Sequence, residues 1–396
     1  MKILLVIDQF DADNNGTTIS AKRFACVLRN HGHQVRIITT GAESDEKYIV
    51  NEWRIPIFDG LIKSQGMRFA KPSKKKLKIA IEWADVVHFM MPFALSIIGV
   101  KMAEQLNVPH TAAFHVQPEN ITASIGLKNA KLINKLLYLS AKDIFYNHFT
   151  HIHCPSLFIA NQLKKNDYTA HLHVISNGVE SDFKYRKKEK TPEFRGKILI
   201  MMIGRLSAEK RQDVIIKAAK KSKYADKIQL IFAGQGPKRD ELEKLGQQLK
   251  NPPIFRFFNK AELQDMLAIT DLYIHAADIE IEAISCIEAF ASGLVPIIAN
   301  SSRSATPQFA LDKRSLFVPG NTTDLAQTID YWLDNPDERE RMELKYSEFG
   351  QQFNIENSVY SIERMFKQAI EENIKNKNKR KDSFLKQSIQ YLHDKL

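Results

Sequence analysis

Two short stretches of this chain place charged side chains where an apolar run ends. In Ile203–Lys210 (IGRLSAEK) the run closes at Ile203, Gly204 frees the backbone to turn, and Arg205 and Lys210 follow just before a helical pattern that includes Val214–Ala219. A planar guanidinium fork and a lysine point charge at the carboxyl end of a strand suit a diphosphate, and can neutralise a departing nucleotide without a metal ion. The alternative is two solvated cations on a loop. In Asp278–Gly293 (DIEIEAISCIEAFASG), Glu280 lies after the run Leu272–His275 and Glu288 lies one turn into a helix that starts near Ala283–Ser285. The N–H groups of Ile284, Ser285 and Cys286 are then free to meet a phosphate. Glu280 can accept hydrogen bonds from sugar hydroxyls and Glu288 from ribose hydroxyls. The plainer reading is a surface acid and a carboxylate that favours the helix dipole.

Other candidates are weaker. His115 follows the apolar run His110–Phe114, again at a strand end, where ligands of open α/β sheets bind. Asp11-Ala12-Asp13 has the form of a metal clamp but reads as a solvated loop, so no metal and no cofactor is expected. No GxGxxG follows either first strand, which counts against a nicotinamide dehydrogenase. Cys26, Cys154 and Cys286 are far apart and odd in number, which fits a reduced cytoplasmic protein better than a disulfide framework.

The elements that must position these residues alternate strand and helix. Apolar runs at Ile3–Ile7, Val35–Ile38, Val86–Phe89 and His110–Phe114 are separated by helical patterns such as Ser20–Asn30. The pattern restarts at Lys197–Ile203, whose KILIMMI echoes the opening KILLVI, and continues through Ile228–Phe232, Leu272–His275 and Val295–Ala299. This predicts an α/β protein of two doubly wound, Rossmann-like domains with a cleft between them. The expected boundaries are 1–184, a polar linker 185–196, and 197–353. A helix over 354–374 is expected to pack back on the first domain, and 375–396 forms a basic amphipathic tail with Leu385, Ile389, Leu392 and Leu396 on one face.

The formal net charge of +11 is unevenly spread: residues 1–190 carry +9 and residues 191–370 carry −1. From Lys63 to Lys78 there are seven cations and no acid, among them Lys71, Lys74, Lys75 and Lys76. Gly126–Phe149 reads as a long helix with Lys128, Lys131, Lys135 and Lys142 opposed by Leu132, Ile133, Leu136, Leu137, Ile144 and Phe145. A basic amphipathic surface suits the headgroup region of an anionic bilayer. The alternative is an ordinary core helix with a solvated lysine face. No nucleic-acid motif accompanies the charge, so a nucleic-acid partner is not expected. No apolar stretch is long enough to span a membrane, so association would be peripheral, at the inner face of the cell membrane.

Taken together, IGRLSAEK, AGQGP at Ala233–Pro237, and Glu280 and Glu288 with the following EAFASGLVPIIAN resemble the retaining family-4 glycosyltransferases of the GT-B fold. SNGVE at Ser176–Glu180 matches that family's end of the first domain, and the resemblance keeps the motif order over nearly the whole chain. It implies transfer of a hexosyl group, usually from a UDP-sugar, to an acceptor hydroxyl. Arg205 and Lys210 would bind the donor diphosphate, Glu280 the donor sugar and Glu288 the ribose. The backbone at Ile284–Cys286 would cap a phosphate, and Asn259, opening the segment after an expected strand Ile254–Phe258, would hold the base. By the same resemblance His115 contacts the donor hexose, and Gly16 brings backbone close to donor and acceptor. The family usually pairs glycines there, whereas this chain has Asn14-Asn15-Gly16-Thr17. HVQPENI, IEAISCIEAFASG and Ser301–Phe317 look closest to bacterial glucosyltransferases acting on diacylglycerol. A cell-wall or capsular glycan is the other acceptor class. A UDP-sugar epimerase and a non-catalytic nucleotide-sugar-binding protein are the rivals of other classes.

Overall fold

The computed structural model describes residues 1–11, 16–53, 68–124 and 130–393, with side chains to Lys379. Of the residues singled out above, Ala12, Asp13, Asn14, Asn15, Lys63, Gly126, Lys128 and Leu396 lie outside it, as do the side chains of Leu385, Ile389 and Leu392.

The first half forms strands β1 (Lys2–Gln9), β2 (Gln34–Thr40), β3 (Lys47–Ile49), β4 (Glu52–Trp53), β5 (Phe69–Ala70), β6 (Val86–Phe89), β7 (His110–Ala113), β8 (His151–Cys154) and β9 (His171–Val174). Among the described residues, one parallel sheet runs β3-β2-β1-β6-β7-β8-β9, and β4 pairs antiparallel with β5 beside it. The order reverses between β1 and β6, where Leu4 pairs with Val87. The second half forms β10 (Ile198–Ile203), β11 (Ile228–Ala233), β12 (Ile254–Arg256), β13 (Leu272–His275), β14 (Pro296–Ala299) and β15 (Leu316–Phe317). They run β12-β11-β10-β13-β14-β15, the Rossmann order with its reversal between β10 and β13. The architecture is therefore the expected pair of doubly wound domains, the GT-B arrangement. Near-continuous apolar strands such as Ile198–Ile203 are what a sheet covered on both faces requires.

One face of the first sheet is covered by the helices Lys74–Trp83, Ala94–Gln105, Lys131–Ile144 and Leu157–Lys165, through a core that includes Leu77, Val100, Tyr138 and Ile159. The other face is covered by the helix Gly16–Asn30 and by the C-terminal helix Ile355–His393, whose Val359, Ile362, Met365 and Phe366 pack with Ile3, Leu5 and Phe24. The chain crosses between domains twice, and the crossings lie side by side: Val179 N–H donates to Phe353 O at 2.8 Å and Ile355 N–H to Val179 O at 2.9 Å. Gly178 has φ +77°, and a Cβ there would stand 2.6 Å from Ile355 Cα, so both the turn and the close crossing require glycine.

Three sequence expectations change. The segment 185–196 is not a free linker: Phe194 is buried in the second core, Lys188 N–H donates to Ala268 O at 3.0 Å, and Lys190 pairs with Asp271 at 2.5 Å. The helix expected over Gly126–Phe149 runs over Lys131–Ile144 in the described residues. The C-terminal helix does not break near residue 374 but runs on to His393, because lysine is a good helix former and Asn there carries only a modest penalty.

The C-terminal helix is clamped to the first domain by histidine–glutamate contacts. His31 Nδ1 lies 2.7 Å from Glu363 and its Nε2 2.9 Å from Glu356, His33 Nε2 lies 3.1 Å from Glu363, and His151 Nε2 3.1 Å from Glu372. Hydrogen bonds to Glu363 and Glu356 raise His31 above its ordinary value. A histidine raised on folding contributes its full stabilisation below the unfolded value, about pH 6.5, and loses it as pH rises through the folded value. The stability difference between wild type and His31→Gln should therefore be larger at about pH 6 than at about pH 8.5 by urea unfolding; an unchanged or inverted difference refutes the clamp's charge.

Candidate functional site

Lys210 and Glu280 meet where the strand order of the second domain reverses. Lys210 closes the short turn Ala208–Lys210 after β10, and Glu280 lies in the loop after β13. Their charged ends form an ion pair, Lys210 Nζ to Glu280 Oε1. The backbones of the two loops are joined by Asp278 N–H to Glu209 O at 2.8 Å, and Arg211 in the left-handed conformation (φ 57°) reaches Asp278 at 3.4 Å. Arg205 is half-buried one residue after Gly204, and its carbonyl accepts from Gln212 Nε2 at 2.8 Å.

The AGQGP loop explains its own glycines. Gly204 N–H donates to Ala233 O at 3.0 Å and Leu206 N–H to Gln235 O at 2.9 Å, so the loop after β11 lies backbone to backbone against Gly204–Leu206. A Cβ on Gly234 would stand 2.0 Å from Gly204 O, and one on Gly236 2.3 Å from Leu206 O. Any side chain would push the Arg205 loop out of place.

Beneath Glu280 lies a network that the sequence reading did not single out. His275 Nε2 is 3.2 Å from Glu280 Oε1, His275 Nδ1 is 3.2 Å from the Tyr273 hydroxyl, and that hydroxyl is 3.3 Å from Ser285 Oγ. A carboxylate only accepts, so Nε2 carries the proton toward Glu280. Burial pushes the Glu280 carboxyl up, but the Lys210 ammonium and His275 outweigh it and hold the group at about 2. Glu280 is thus a fixed anion at any working pH. The only available signal was a polar residue ending the apolar run Leu272–His275.

Ala283 (φ 71°, ψ 66°) turns the chain into the helix Ile284–Ala291, and no side chain caps the helix. Cys286 N–H is already given to Ala283 O at 2.9 Å, which leaves the amides of Ile284 and Ser285 as the first-turn donors uncommitted among the described residues. The Cys286 thiol is buried and held well above its ordinary value by that burial, so it stays protonated.

Glu288, one turn further on, does not stand alone. Arg23 Nη2, from the helix Gly16–Asn30 of the other domain, lies 2.7 Å from Glu288 Oε1. Asn259 is committed to a helix cap: its side chain accepts from Glu262 N–H at 3.0 Å, while Glu262 accepts from Asn259 N–H at 2.9 Å. The neighbouring Lys260 pairs with Glu180, and also with Asp182 at 2.7 Å. Among the described residues, a Cβ on Gly16 would meet nothing within 4 Å.

The first domain reaches the same place from the opposite side. The helix Pro118–Ser124, just after His115, packs against the turn Ala208–Lys210. Gln117 Nε2 donates to Arg303 O at 3.2 Å and Ser156 Oγ to Ile281 O at 2.5 Å. Glu282, also not singled out from sequence, accepts from Asn177 N–H at 2.9 Å and Asn177 Nδ2 at 2.6 Å. Burial pushes that carboxyl up to about 7 despite these donors. His115 is buried beside His153 (ring centroids 5.4 Å), and neither of its ring nitrogens has a partner among the described residues. Burial, with His153 and His88 nearby, holds it well below its ordinary value, so it is neutral. Asp11 is engaged elsewhere: it pairs with Lys47 and accepts from Ala42 N–H at 2.8 Å.

Six of the lysines singled out in the first domain are exposed, while Lys142 is half-buried. Lys71, Lys74, Lys75 and Lys76 lie at or near the start of the helix Lys74–Trp83, and Lys131 and Lys135 lie on the helix Lys131–Ile144. That second helix buries Asn134 and Tyr138 and turns its apolar residues outward: Leu132 is 72% exposed and Leu136 54%. Phe145, expected on the same face, is instead fully buried.

Known proteins agree with this architecture. Residues 14–183 match the family model described as Glycosyltransferase Family 4, and residues 183–347 that described as Glycosyl transferases group 1. The alpha-monoglucosyldiacylglycerol synthase of Streptococcus pneumoniae is 26% identical over 324 residues, 76% of this chain and 71% of that protein. A GDP-mannose-dependent alpha-mannosyltransferase of Corynebacterium glutamicum is 25% identical over 318 residues, 75% of this chain and 72% of that protein. The Anabaena protein HepE, solved with UDP and glucose, is similar in fold, with a TM-score of 0.71 at 15% identity over 93% of this chain and 99% of that one. The catalytic domain of a cholesterol-alpha-glucosyltransferase from Helicobacter pylori is 48% identical, covering 40% of this chain and 99% of that one, with a TM-score of 0.39.

The loop packing gives a direct test. Gly234→Ala should lower stability by about 1–3 kcal/mol in urea unfolding, as overpacking does. Wild-type stability would show that the two loops need not touch.

Proposed function

We propose, from the premise that this chain belongs to the family-4 glycosyltransferases, that it moves glucose from UDP-glucose to a hydroxyl of a membrane lipid, diacylglycerol, with retention at the anomeric carbon. The observation that carries the donor side is the meeting of Lys210, Glu280 and the uncommitted amides of Ile284 and Ser285 at one strand-order reversal. Cations and helix N–H groups suit the diphosphate, and the fixed carboxylate suits the sugar hydroxyls. Glu288 is read as the ribose ligand and the loop at Asn259 as the base site, through its backbone because its side chain is spent on the cap. GDP-mannose-dependent relatives keep a GDP-sugar as the competing donor class, and a panel of UDP- and GDP-sugars analysed by mass spectrometry separates the two.

In the proposed step, the bond from the anomeric carbon to the UDP oxygen breaks, the acceptor oxygen bonds to the same face, and its proton passes to the departing phosphate. Glu280 is a poor candidate for a covalent nucleophile. Its Oε1 is shared by Lys210 and His275, and at a pKa of about 2 it is a weak base. Arg205 and Lys210 stabilise the charge that builds on UDP. The His115 loop lies on the sugar side, its backbone carbonyl facing the positive charge at the anomeric carbon, and Gly16 leaves room for the acceptor. Arg205→Ala and Lys210→Ala should each lower turnover by about 10²–10³-fold, the scale of a lost electrostatic stabiliser, with unchanged circular dichroism. Activity should persist in excess EDTA. Near-normal rates in both variants, or a loss in EDTA restored by Mg²⁺ or Mn²⁺, would sink this reading.

The acceptor side rests on the outward-facing leucines. Among the described residues no helix is long and apolar enough to cross a membrane. An amphipathic helix with Lys131 and Lys135 beside Leu132, Ile133 and Leu136 supports peripheral binding to the anionic inner face of the cell membrane. Three lysines and no acid in the first turn of Lys74–Trp83 oppose the helix dipole, a cost that an anionic surface would offset. The protein should sediment with phosphatidylglycerol vesicles at low salt and be released at high salt. Leu132→Asp with Leu136→Asp should weaken that binding at least tenfold, since burying each leucine contributes about 1.5–3 kcal/mol. No sedimentation at low salt would refute the membrane reading, and vesicles offering diacylglycerol or cholesterol would identify the acceptor.

A further inference from the structure

Arg23 makes three contacts from one guanidinium, each to a different part of the domain junction. Nη2 meets Glu288 Oε1 at 2.7 Å, Nη1 donates to Gly178 O at 3.1 Å, and Nε meets Glu180 Oε1 at 3.2 Å. The side chain is 13% exposed and that of Glu288 9%, so neither is a solvated surface charge. Glu180 is in turn held by Lys260, the residue after Asn259. One arginine of the first domain therefore anchors to the crossing segment, to the last glutamate of the donor motif and, through Glu180, to the helix at the base site. Among the described residues Glu288 Oε2 has no hydrogen-bond or ion-pair partner.

We infer that Arg23 is a positioning residue for the donor: it fixes one oxygen of Glu288 so that the other is left for the ribose diol. The inference rests on the ribose reading of Glu288 proposed above. A planar fork that spans three acceptors sets the orientation of a carboxylate as a lysine cannot. Because Arg23 and Glu288 belong to different domains, the ribose ligand has its working orientation only when the two domains are together, and nucleotide recognition is thereby coupled to closure of the cleft. The groups facing the Glu288 carboxyl are Arg23 and Lys260, which favour its anion, and Glu180, which opposes it; burial pushes it up.

The test is the ratio of affinities for UDP and 2′,3′-dideoxy-UDP, measured by calorimetry on the full chain. In the wild type the ribose hydroxyls should give UDP an advantage of about tenfold or more, the scale of hydrogen bonds to a charged acceptor. Glu288→Gln and Arg23→Met should each reduce the advantage to within about threefold while leaving dideoxy-UDP binding within about threefold of wild type. If Arg23→Met weakens both ligands in parallel and keeps the ratio, Arg23 is merely structural, the inference is overturned, and the ribose reading stands wherever Glu288→Gln removes the advantage. If Glu288→Gln keeps the ratio, the ribose reading fails and takes the inference with it. If Arg23→Met does not fold, Arg23→Lys decides: a ratio cut at least threefold supports the fork, and an undiminished one overturns it.

Discussion

The second domain is organised around one largely buried carboxylate that is kept charged. Burial pushes the Glu280 carboxyl up, and its anion is held there only by its partners. Those partners are Lys210 and His275, and they come from different strands: Lys210 follows β10, while His275 ends β13. These strands are neighbours only because the sheet order reverses between them. The pair therefore fixes how closely the two strand-end loops approach, which the Asp278–Glu209 backbone bond completes. A second contact holds the same β10 loop: it lies against the loop after β11, where Gly234 and Gly236 are required because a single methyl group would collide with the carbonyl oxygen of Gly204 or Leu206. The loop after β10 is thus fixed by charge against one neighbour and by glycine placement against another.

The contacts between domains fall on the same residues. Ile281 and Glu282, between Glu280 and the helix at Ile284, are met by Ser156 and Asn177, and Glu288 is met by Arg23. The segment from Glu280 to Glu288 is thus also the docking surface of the first domain. A two-domain protein with a polar interface is expected to open and close. Here, opening would strip partners from Glu282 and Glu288, both buried carboxyls that burial already biases toward protonation.

The sequence made some of this legible for definite reasons. Apolar runs alternating with helical patterns specify two parallel sheets whatever the details of packing, and a cation or acid just past such a run lies at a strand's carboxyl end. Arg205, Lys210 and Glu280 were visible on that basis. Arg23, Glu282 and Asn177 were not, because their partners are between 105 and 265 positions away and nothing local distinguishes them. The helix Lys131–Ile144 shows a different limit. Its periodicity separates a polar from an apolar face but does not say which one faces the core. The fold buries Asn134, which accepts from Thr122 Oγ1 at 2.8 Å, and Tyr138, which stacks on Phe114 at 6.0 Å. Two satisfied polar residues hold the helix down, and the leucines are left outside.

That inversion bears on how the cleft could meet its acceptor. Helices that connect parallel strands run antiparallel to them, so the first turns of Lys74–Trp83 and Lys131–Ile144 both lie toward the carboxyl ends of the strands, the end that forms the cleft. Both helices pack on the same face of the sheet. Lys74–Lys76, Lys131 and Leu132 therefore share one face and one end of the first domain, beside the His115 loop that follows β7. A bilayer lying against that corner would present a lipid hydroxyl near the rim of the cleft, so the lipid need not leave the membrane to be glycosylated. Leaving the leucines outside forgoes the burial that an inward arrangement would gain, and on the proposed function a bilayer surface would supply it.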